Sequence, residues 1–172
     1  MATYTKPSGD ELRTLADEAK TARARITTPK GDIVFVFYPD DAPLHSAAFI
    51  KLARAGFYDG LKFHRFEPGF VIQGGDPSGN GTGGPGYNLE AEFSERPHVK
   101  GTVAMARAQN PNSAGSQFYI VLDDAPFLNG QYTVFGHVVE GQTVVDQIRA
   151  GDVMTKVTIE STAAEGGAES HG

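Results

Sequence analysis

Residues 63–76, FHRFEPGFVIQGGD, place one arginine among aromatic side chains. The first residues of this stretch are aromatic-rich and strand-like, Pro68 and Gly69 suit the central positions of a type II turn, and the apolar residues 70–72 resume extended structure. Arg65 is therefore predicted to lie on a strand beside an apolar surface. Because a guanidinium stays protonated across the physiological pH range, it can serve as a hydrogen-bond donor without titrating.

Two consecutive glycines, Gly74 and Gly75, close this stretch. They have no side chain to pack, so within a strand they indicate a bulge, a bend or the close approach of another backbone. A cleft for an extended peptide would need such a feature. A type II turn tends to splay the strands that it joins, so side-chain alternation leaves open whether Arg65 and Gln73 share a face.

Length and composition limit the class of protein. A chain of 172 residues is long enough for one domain that buries about 70% of the surface its unfolded chain exposes. The absence of cysteine excludes a disulfide framework, a thiolate nucleophile and a thiolate metal site. The net charge of -6, with no cluster of Lys and Arg to override it, predicts no nucleic-acid partner.

Hydropathy predicts a protein without a membrane segment. No window reaches the ~20 apolar residues that a membrane span requires, and Met1 leads into polar residues instead of a secretory signal. We therefore expect a soluble, cytoplasmic protein that does not bind membranes.

Sequence patterns divide the chain into three parts. Ser8 and Glu11 have the spacing of a capping box, which predicts a short helix in an N-terminal extension at residues 1–24. Residues 162–172 are rich in Ala, Gly, Ser and Glu and lack the apolar surface to fold, so a flexible tail is expected. The domain between them is predicted to span residues 25–161.

Within this domain, turn signals separate short strand patterns and only two helical patterns occur. This arrangement predicts an all-β fold, a closed eight-stranded antiparallel β-barrel with a helix over each opening. The helices are expected near residues 43–54 and 143–150, and the strands near residues 25–28, 33–38, 63–66, 70–72, 102–106, 116–122, 132–139 and 156–160.

Four blocks of the sequence resemble, in order and spacing, the signature blocks of the cyclophilins, which are peptidyl-prolyl cis/trans isomerases. The blocks are FHRFEPGFVIQGGD, GTGGPG, MARAQNPNSAGSQFYI and FLNGQYTVFGHVVEG, and the sequence looks most like compact prokaryotic members. The resemblance implies a cyclophilin-like barrel with a ligand groove on its outer wall. It also implies a cofactor-free isomerase that assists folding by acting on proline-containing peptides and unfolded chains.

Arg65 is the residue that we expect to be catalytic. Rotation about an Xaa-Pro bond meets a barrier of ~18 to 20 kcal/mol, because the nitrogen lone pair is delocalised into the carbonyl group. A donor near the prolyl nitrogen would favour the twisted state, in which this lone pair is localised, over both planar states. The ordinary alternative is an arginine that snorkels or joins an ion pair.

The resemblance assigns ten further residues to the substrate site. Composition alone would not select the apolar ones, because such residues normally fill a core. The resemblance places Phe70, Val71, Ala106, Tyr119, Phe127 and Leu128 in a proline pocket, Tyr132 at its rim, and Gln73, Arg107 and Gln117 on the peptide backbone.

Several of these positions depart from the common family pattern. Phe127 stands where many members have tryptophan, Tyr132 where many have histidine, Tyr119 where phenylalanine is common and Arg107 where asparagine is common. Phenylalanine has no indole N–H to donate to the cyclic peptide cyclosporin, so we expect weak cyclosporin affinity.

Two other functions fit parts of the sequence. A binding module or holdase would use the same groove to retain peptides without accelerating rotation, although such a protein would not need Arg65. A nucleotide enzyme would use the glycine-rich residues 77–86, but these lack the terminal Gly-Lys-Ser/Thr of a phosphate-binding loop.

The five histidines never occur at i, i+3 or i, i+4, so no metal site is predicted. A monomer is expected.

Overall fold

Eight strands and three helices form among residues 4–161, the part of the chain that the computed structural model describes. The helices are α1 (Gly9–Ala19), α2 (Pro43–Arg54) and α3 (Gln142–Gln147), and a 3₁₀ turn spans Pro126–Leu128. The strands are β1 (Ala22–Thr28), β2 (Gly31–Phe37), β3 (Phe63–Glu67), β4 (Val71–Gly74), β5 (Thr102–Met105), β6 (Phe118–Val121), β7 (Val134–Glu140) and β8 (Lys156–Ser161). The predicted flexible tail lies outside the described residues.

All strands pair in antiparallel fashion in the order β3-β4-β6-β5-β7-β2-β1-β8. The predicted eight strands are confirmed, but the sheet curls into a half-barrel and the predicted closed barrel is wrong. Among residues 4–161, β3 and β8 form no ladder with each other. The chain before β8 meets the start of β3 over a short stretch, through a bridge between Lys62 and Val153 and backbone hydrogen bonds of Phe63 with residues 151 and 152. β8 then continues along β1, so the two edges do not pair along their length.

The central strands β4, β5 and β6 are buried on both faces. Ile72 and Phe118 point into the main core inside the curled sheet, whereas Val71, Ala104 and Tyr119 belong to a second apolar cluster. Adjacent residues in a strand point to opposite faces, so the second cluster lies on the outer wall. The continuous apolar runs of these strands follow from burial on both sides.

Helix α2 covers the main core. Pro43 occupies its first turn, where a missing N–H costs no helical hydrogen bond. The free amides of Leu44 and His45 donate to the Glu92 carboxylate at 3.0 and 2.8 Å. Phe49, on its buried face, stacks on a neighbouring tyrosine with ring centroids 4.7 Å apart. A distant loop therefore caps the helix that closes the core.

The predicted N-terminal helix forms as α1, but not through a capping box. Ser8 is the N-cap residue and makes no side-chain capping bond. Glu11 instead accepts a hydrogen bond from Lys51 of α2 at 2.9 Å, so it does not reach back to Ser8. β1 begins at Ala22, inside the segment predicted as an extension. None of the described helices is long and apolar enough to cross a membrane.

Candidate functional site

The turn between β3 and β4 places Arg65 directly opposite Gln73. Gly69 has a φ of +69°, which a type II turn requires at this position, and the Phe70 amide donates to the Glu67 carbonyl at 3.0 Å. An irregularity in β3 between Phe63 and Arg65 sets the register. Arg65 Nη1 then donates to Gln73 Oε1 at 3.0 Å. The two side chains therefore share a face, which the sequence left open.

At the glycine pair, another backbone approaches closely, which is one of the features that the sequence indicated. Gly75 has a φ of +93°, and a methyl group there would lie 2.6 Å from the carbonyl oxygen of Ser116. The Ser116 hydroxyl in turn donates to the Gly75 carbonyl at 2.7 Å. Close approach of two backbones therefore requires glycine where β4 ends.

Arg65 keeps part of its donor capacity free. Its Nε lies 3.4 Å from Glu67 Oε2, and both side chains are about half exposed, at 43% and 50%. The carbon at the centre of its guanidinium lies 5.8 Å from the centroid of the Phe70 ring. Within residues 4–161, Nη2 donates to no protein atom. The group can therefore approach a ligand that lies over Phe70.

A cavity of about 220 Å³ opens beside Arg65. Its volume lies below the ~300 to 1,000 Å³ of pockets for drug-sized ligands, so its size suits one small ring. Nine of the eleven predicted site residues line it, and Phe127 and Gln117 do not. The nine are Arg65, Phe70, Val71, Gln73, Ala106, Arg107, Tyr119, Leu128 and Tyr132.

Gln117 belongs to a second, larger cavity of about 420 Å³. Gln73 Nε2 donates to Gln117 Oε1 at 3.1 Å, and Gln117 Nε2 donates to the Gly83 carbonyl at 3.0 Å. Arg65, Gln73 and Gln117 thus form a chain of hydrogen bonds between the two cavities. The sequence did not predict the second cavity.

The glycine-rich loop that borders this second cavity folds around Asp76. Asp76 is buried, and its carboxylate accepts amides from Ser78 at 2.8 Å and Asn80 at 3.0 Å, and also from Gly81. Burial opposes ionisation of Asp76, but these amides, with that of Gly83, outweigh burial and lower the pKa of the carboxyl group. The loop is therefore fixed by a charged side chain.

His98, which no sequence pattern indicated, lies behind the 220 Å³ cavity. His98 is 1% exposed, and its Nε2 lies 2.8 Å from the Tyr119 hydroxyl oxygen. Burial lowers the pKa of His98, while its hydrogen bond with Asn129 acts in the opposite direction. Burial, reinforced by Tyr132, raises the pKa of Tyr119 well above its usual range, against the effect of Arg107. A single histidine in an irregular segment gives no pattern that would have found it.

Among residues 4–161, no three His, Cys, Asp or Glu side chains cluster as metal ligands. The family model for cyclophilin type peptidyl-prolyl cis-trans isomerase/CLD matches residues 23–164. The chain belongs to this family of cyclophilins. Its bacterial relatives are named peptidyl-prolyl cis-trans isomerases, so the family supports isomerase function.

Similarity to individual cyclophilins extends over most of the chain. A probable peptidyl-prolyl cis-trans isomerase of Brucella abortus is 50% identical over 154 residues, covering 76% of this chain and 79% of the relative. Isomerase B of Bacillus subtilis is 50% identical over 130 residues, covering 74% and 90%. A cyclophilin of Cryptosporidium parvum, crystallised in the presence of the dipeptide Ala-Pro, is 31% identical with a TM-score of 0.75, covering 81% of this chain and 99% of that one.

All three nitrogens of the Arg107 guanidinium in this cyclophilin donate hydrogen bonds to main-chain carbonyl groups of the protein. Its Nε and Nη2 donate to the Gln131 carbonyl at 3.1 and 2.8 Å, and its Nη1 donates to the carbonyls of Ala108 and Gln109 at 2.9 and 3.1 Å. The guanidinium also lies 4.7 Å from the centroid of the Tyr132 ring. A contact between Arg107 and a peptide backbone stays a prediction.

Phe127 lies outside the cavity and on its border. It is 65% exposed in the 3₁₀ turn, and it stacks on Phe70 with ring centroids 5.6 Å apart and an interplanar angle of 30°. Phe70 lines the cavity, so Phe127 extends the apolar surface outward from it. The position is open to a ligand larger than a proline ring.

Proposed function

We propose that this cyclophilin accelerates rotation about Xaa-Pro bonds, with the proline ring in the 220 Å³ cavity and Arg65 as the donor to the prolyl nitrogen. The observation that carries this proposal is the position of the Arg65 guanidinium, next to the Phe70 ring and held by Gln73 Oε1 at 3.0 Å. Proline-containing peptides and unfolded chains are the proposed substrates. The Ala-Pro dipeptide used with the Cryptosporidium parvum cyclophilin supports that class.

The proposed catalysis uses selective stabilisation of the twisted peptide bond. In planar cis and trans states the prolyl nitrogen shares its lone pair with the carbonyl group and is a poor acceptor. In the twisted state the lone pair is localised, so a guanidinium donor stabilises this state more than either planar state. The hydrogen bond that Arg65 donates to Gln73 Oε1 fixes the orientation of the guanidinium before the substrate binds, which limits reorganisation during the reaction. The mechanism needs no nucleophile and no cofactor.

The polar bonds between the cavities suggest where the rest of the peptide binds. Gln73 borders both cavities, and the Gln117 side chain borders the second one. We propose that their amide groups contact the backbone on one side of the proline. The monomeric state and the cytoplasmic location expected from the sequence stay predictions.

Replacement of Arg65 by alanine tests the proposal. We expect kcat/KM for a short Xaa-Pro peptide, measured by NMR exchange, to fall by about 10² to 10³, the loss typical for removal of one preorganised donor. Arg65 is partly exposed and its pairing with Glu67 is weak, so the melting temperature should change little. The control is Arg13→Ala, which removes a more exposed arginine from α1, and it should retain the full rate.

Two results would overturn parts of this proposal. A folded Arg65→Ala variant with full activity would mean that Arg65 is not the catalytic donor. Wild-type protein that binds the peptide without accelerating exchange would favour the alternative of a peptide-binding chaperone module. Arg65→Lys separates charge from geometry, because lysine keeps the charge and loses the planar guanidinium.

A further inference from the structure

His98 connects two walls of the proline cavity from behind. Its ring stacks on the Tyr119 ring with centroids 5.9 Å apart and an interplanar angle of 21°. The Tyr132 ring meets it at 6.4 Å and 74°. Both tyrosines line the cavity, whereas His98 is buried and does not line it. A movement of His98 would therefore change the shape of the cavity without a direct contact to a ligand.

The backbone of His98 also holds the segment that carries the rim. Its amide donates to Asn129 Oδ1 at 2.7 Å, and its carbonyl accepts the Ala125 amide at 2.8 Å. These two partners flank the 3₁₀ turn Pro126–Leu128, which supplies Leu128 to the cavity and Phe127 to its border. Through its backbone, His98 thus bonds to both ends of residues 125–129, and through its ring it bonds to Tyr119.

The hydrogen bonds determine the tautomer of His98. Asn129 Oδ1 accepts the His98 amide, so this atom is an acceptor, and Nδ1 of the ring, 3.3 Å away, must donate to it. Nε2 is then unprotonated and accepts the hydroxyl hydrogen of Tyr119 at 2.8 Å. Burial favours this neutral ring, because it lowers the pKa of His98 and raises that of Tyr119.

We propose that His98 is a positioning residue of the proline cavity: it holds Tyr119 and residues 125–129 together and directs the Tyr119 hydroxyl hydrogen away from the substrate. The cavity then presents the ring of Tyr119 to proline, and the polar end of this side chain stays paired within the protein. This inference rests on the proposed function. Arg65 is oriented separately by Gln73. Loss of His98 should therefore affect KM more than kcat.

The neighbours of His98 determine how it responds to pH. Tyr119 and Tyr132 are the titratable groups that face its ring, and Arg107 lies over Tyr132. Among residues 4–161, no carboxylate hydrogen-bonds to the His98 ring, so none favours its protonation. Acidification that protonates Nε2 would compel the Tyr119 hydroxyl to turn its hydrogen elsewhere. We expect KM to rise only below the usual pKa of histidine, ~6.5.

The first test is the ¹⁵N NMR spectrum of the histidine rings. In wild type at pH 7, His98 should have a protonated Nδ1 and an unprotonated Nε2, and Tyr119→Phe should shift the Nε2 resonance. The opposite tautomer would overturn the inference. This readout does not depend on isomerase activity, so it separates failure of the inference from failure of the proposed function.

The second test measures KM and kcat separately by NMR exchange. His98→Phe and Asn129→Ala should each raise KM by about tenfold and change kcat by less than about threefold, because either variant loses bonds that hold Tyr119 and residues 125–129 in the positions that shape the cavity. Asn129 is exposed, so Asn129→Ala remains informative if His98→Phe does not fold. Asn129→Asp keeps the acceptor oxygen and should restore KM at pH 7. His137→Gln, in a half-buried histidine of β7 outside both cavities, is the matched control.

An unchanged KM in folded His98→Phe or Asn129→Ala protein would overturn the positioning role, as would a loss confined to kcat. If wild type shows no isomerase activity, the dissociation constant of the same peptide replaces KM. The proposed function would then be wrong, while the expected tenfold weakening by these variants would still support the role of His98.

Discussion

The contacts of the Arg65 side chain are better explained by a functional role than by a contribution to folding stability. Its contact with the half-exposed Glu67 is of a type that contributes about 0 to 1 kcal/mol. Its bond to Gln73 continues through Gln117 to the Gly83 carbonyl, so it belongs to a network along the cavity wall. An exposed arginine does not need such a network to be tolerated. The network is better explained by the need to orient the guanidinium.

A second prediction for a single residue concerns Phe127 and the affinity for cyclosporin. The variant Phe127→Trp should bind cyclosporin about tenfold more tightly, since an indole N–H adds one hydrogen bond worth ~0.5 to 1.5 kcal/mol and a larger ring adds contact area. Isomerase activity should change little, because Phe127 lies outside the proline cavity and Arg65 is the proposed donor. Inhibition constants and kcat/KM for both proteins provide the measurement.

The control for this variant is Val139→Trp, which adds an indole at a half-exposed position on β7. It should leave cyclosporin affinity unchanged. Equal inhibition of wild type and Phe127→Trp would mean that this position does not govern cyclosporin binding.

The sequence identified most cavity residues, but it could not predict how they are placed. Arg65 and Gln73 lie in a block that resembles the family signature, so the sequence identifies them. That their side chains share a face depends on an irregular register in β3, which the sequence does not show. Phe127 was expected inside the pocket, and the 3₁₀ turn instead leaves it 65% exposed. His98 matters through contacts with residues 21 and 31 positions away, and no local pattern indicates such contacts.

At the scale of elements, hydrophobic patterns predicted the strands better than their connections. Burial on both faces makes β4, β5 and β6 easy to recognise as apolar runs. The cap of α2 was not predictable, because Glu92 lies 47 positions from His45, whose amide it accepts. At α1 the predicted capping box does not form: Ser8 makes no side-chain capping bond, and Glu11 bonds to Lys51 of another helix.

The glycine-rich loop makes a prediction that depends on Asp76. Asp76→Asn should destabilise the protein by about 1 to 3 kcal/mol at pH 7, because an amide offers one acceptor oxygen and turns its NH₂ group toward backbone N–H donors. The loop borders the second cavity and its Gly83 carbonyl accepts from Gln117, so KM should also rise. Urea unfolding and the isomerase assay measure the two effects.

The pH dependence of this variant follows from the sign of the pKa shift. The folded-state pKa of Asp76 is lowered, so its stabilising effect is fully present above the unfolded pKa of 3.8 and is lost as the pH falls through the folded pKa. The stability difference between wild type and Asp76→Asn should therefore narrow below about pH 4. Asp40→Asn removes an exposed acid as a control. A difference that is independent of pH would show that the charge of Asp76 does not hold the loop.

At the scale of the whole molecule, the N-terminal segment is attached to the domain by several side-chain contacts. The Tyr4 ring meets Phe57 edge-on at 4.9 Å, and Lys6 pairs with Glu90 at 2.6 Å. Glu18 forms an ion pair with Arg54, whose hydrogen bonds lower the pKa of Glu18 despite its partial burial. The segment therefore spans α2 and reaches the loop that caps α2 through Glu92.

Deletion of residues 1–20 tests whether this segment only stabilises the fold. Loss of the contacts of Tyr4, Leu15 and Ala19 should cost about 2 to 4 kcal/mol, which lowers the melting temperature by about 5 to 15 °C. Within residues 4–161, the bonds of this segment reach α2 and Glu90 and none of the nine residues that line the proline cavity. Below its melting temperature the truncated protein should therefore keep kcat/KM within about threefold of wild type, a margin of less than 1 kcal/mol.

Thermal unfolding followed by circular dichroism and the NMR exchange assay provide both measurements, with Glu18→Gln as a milder variant that removes one ion pair. A folded truncation with a much lower rate would mean that the segment shapes the cavity through Glu90 and the loop beside it.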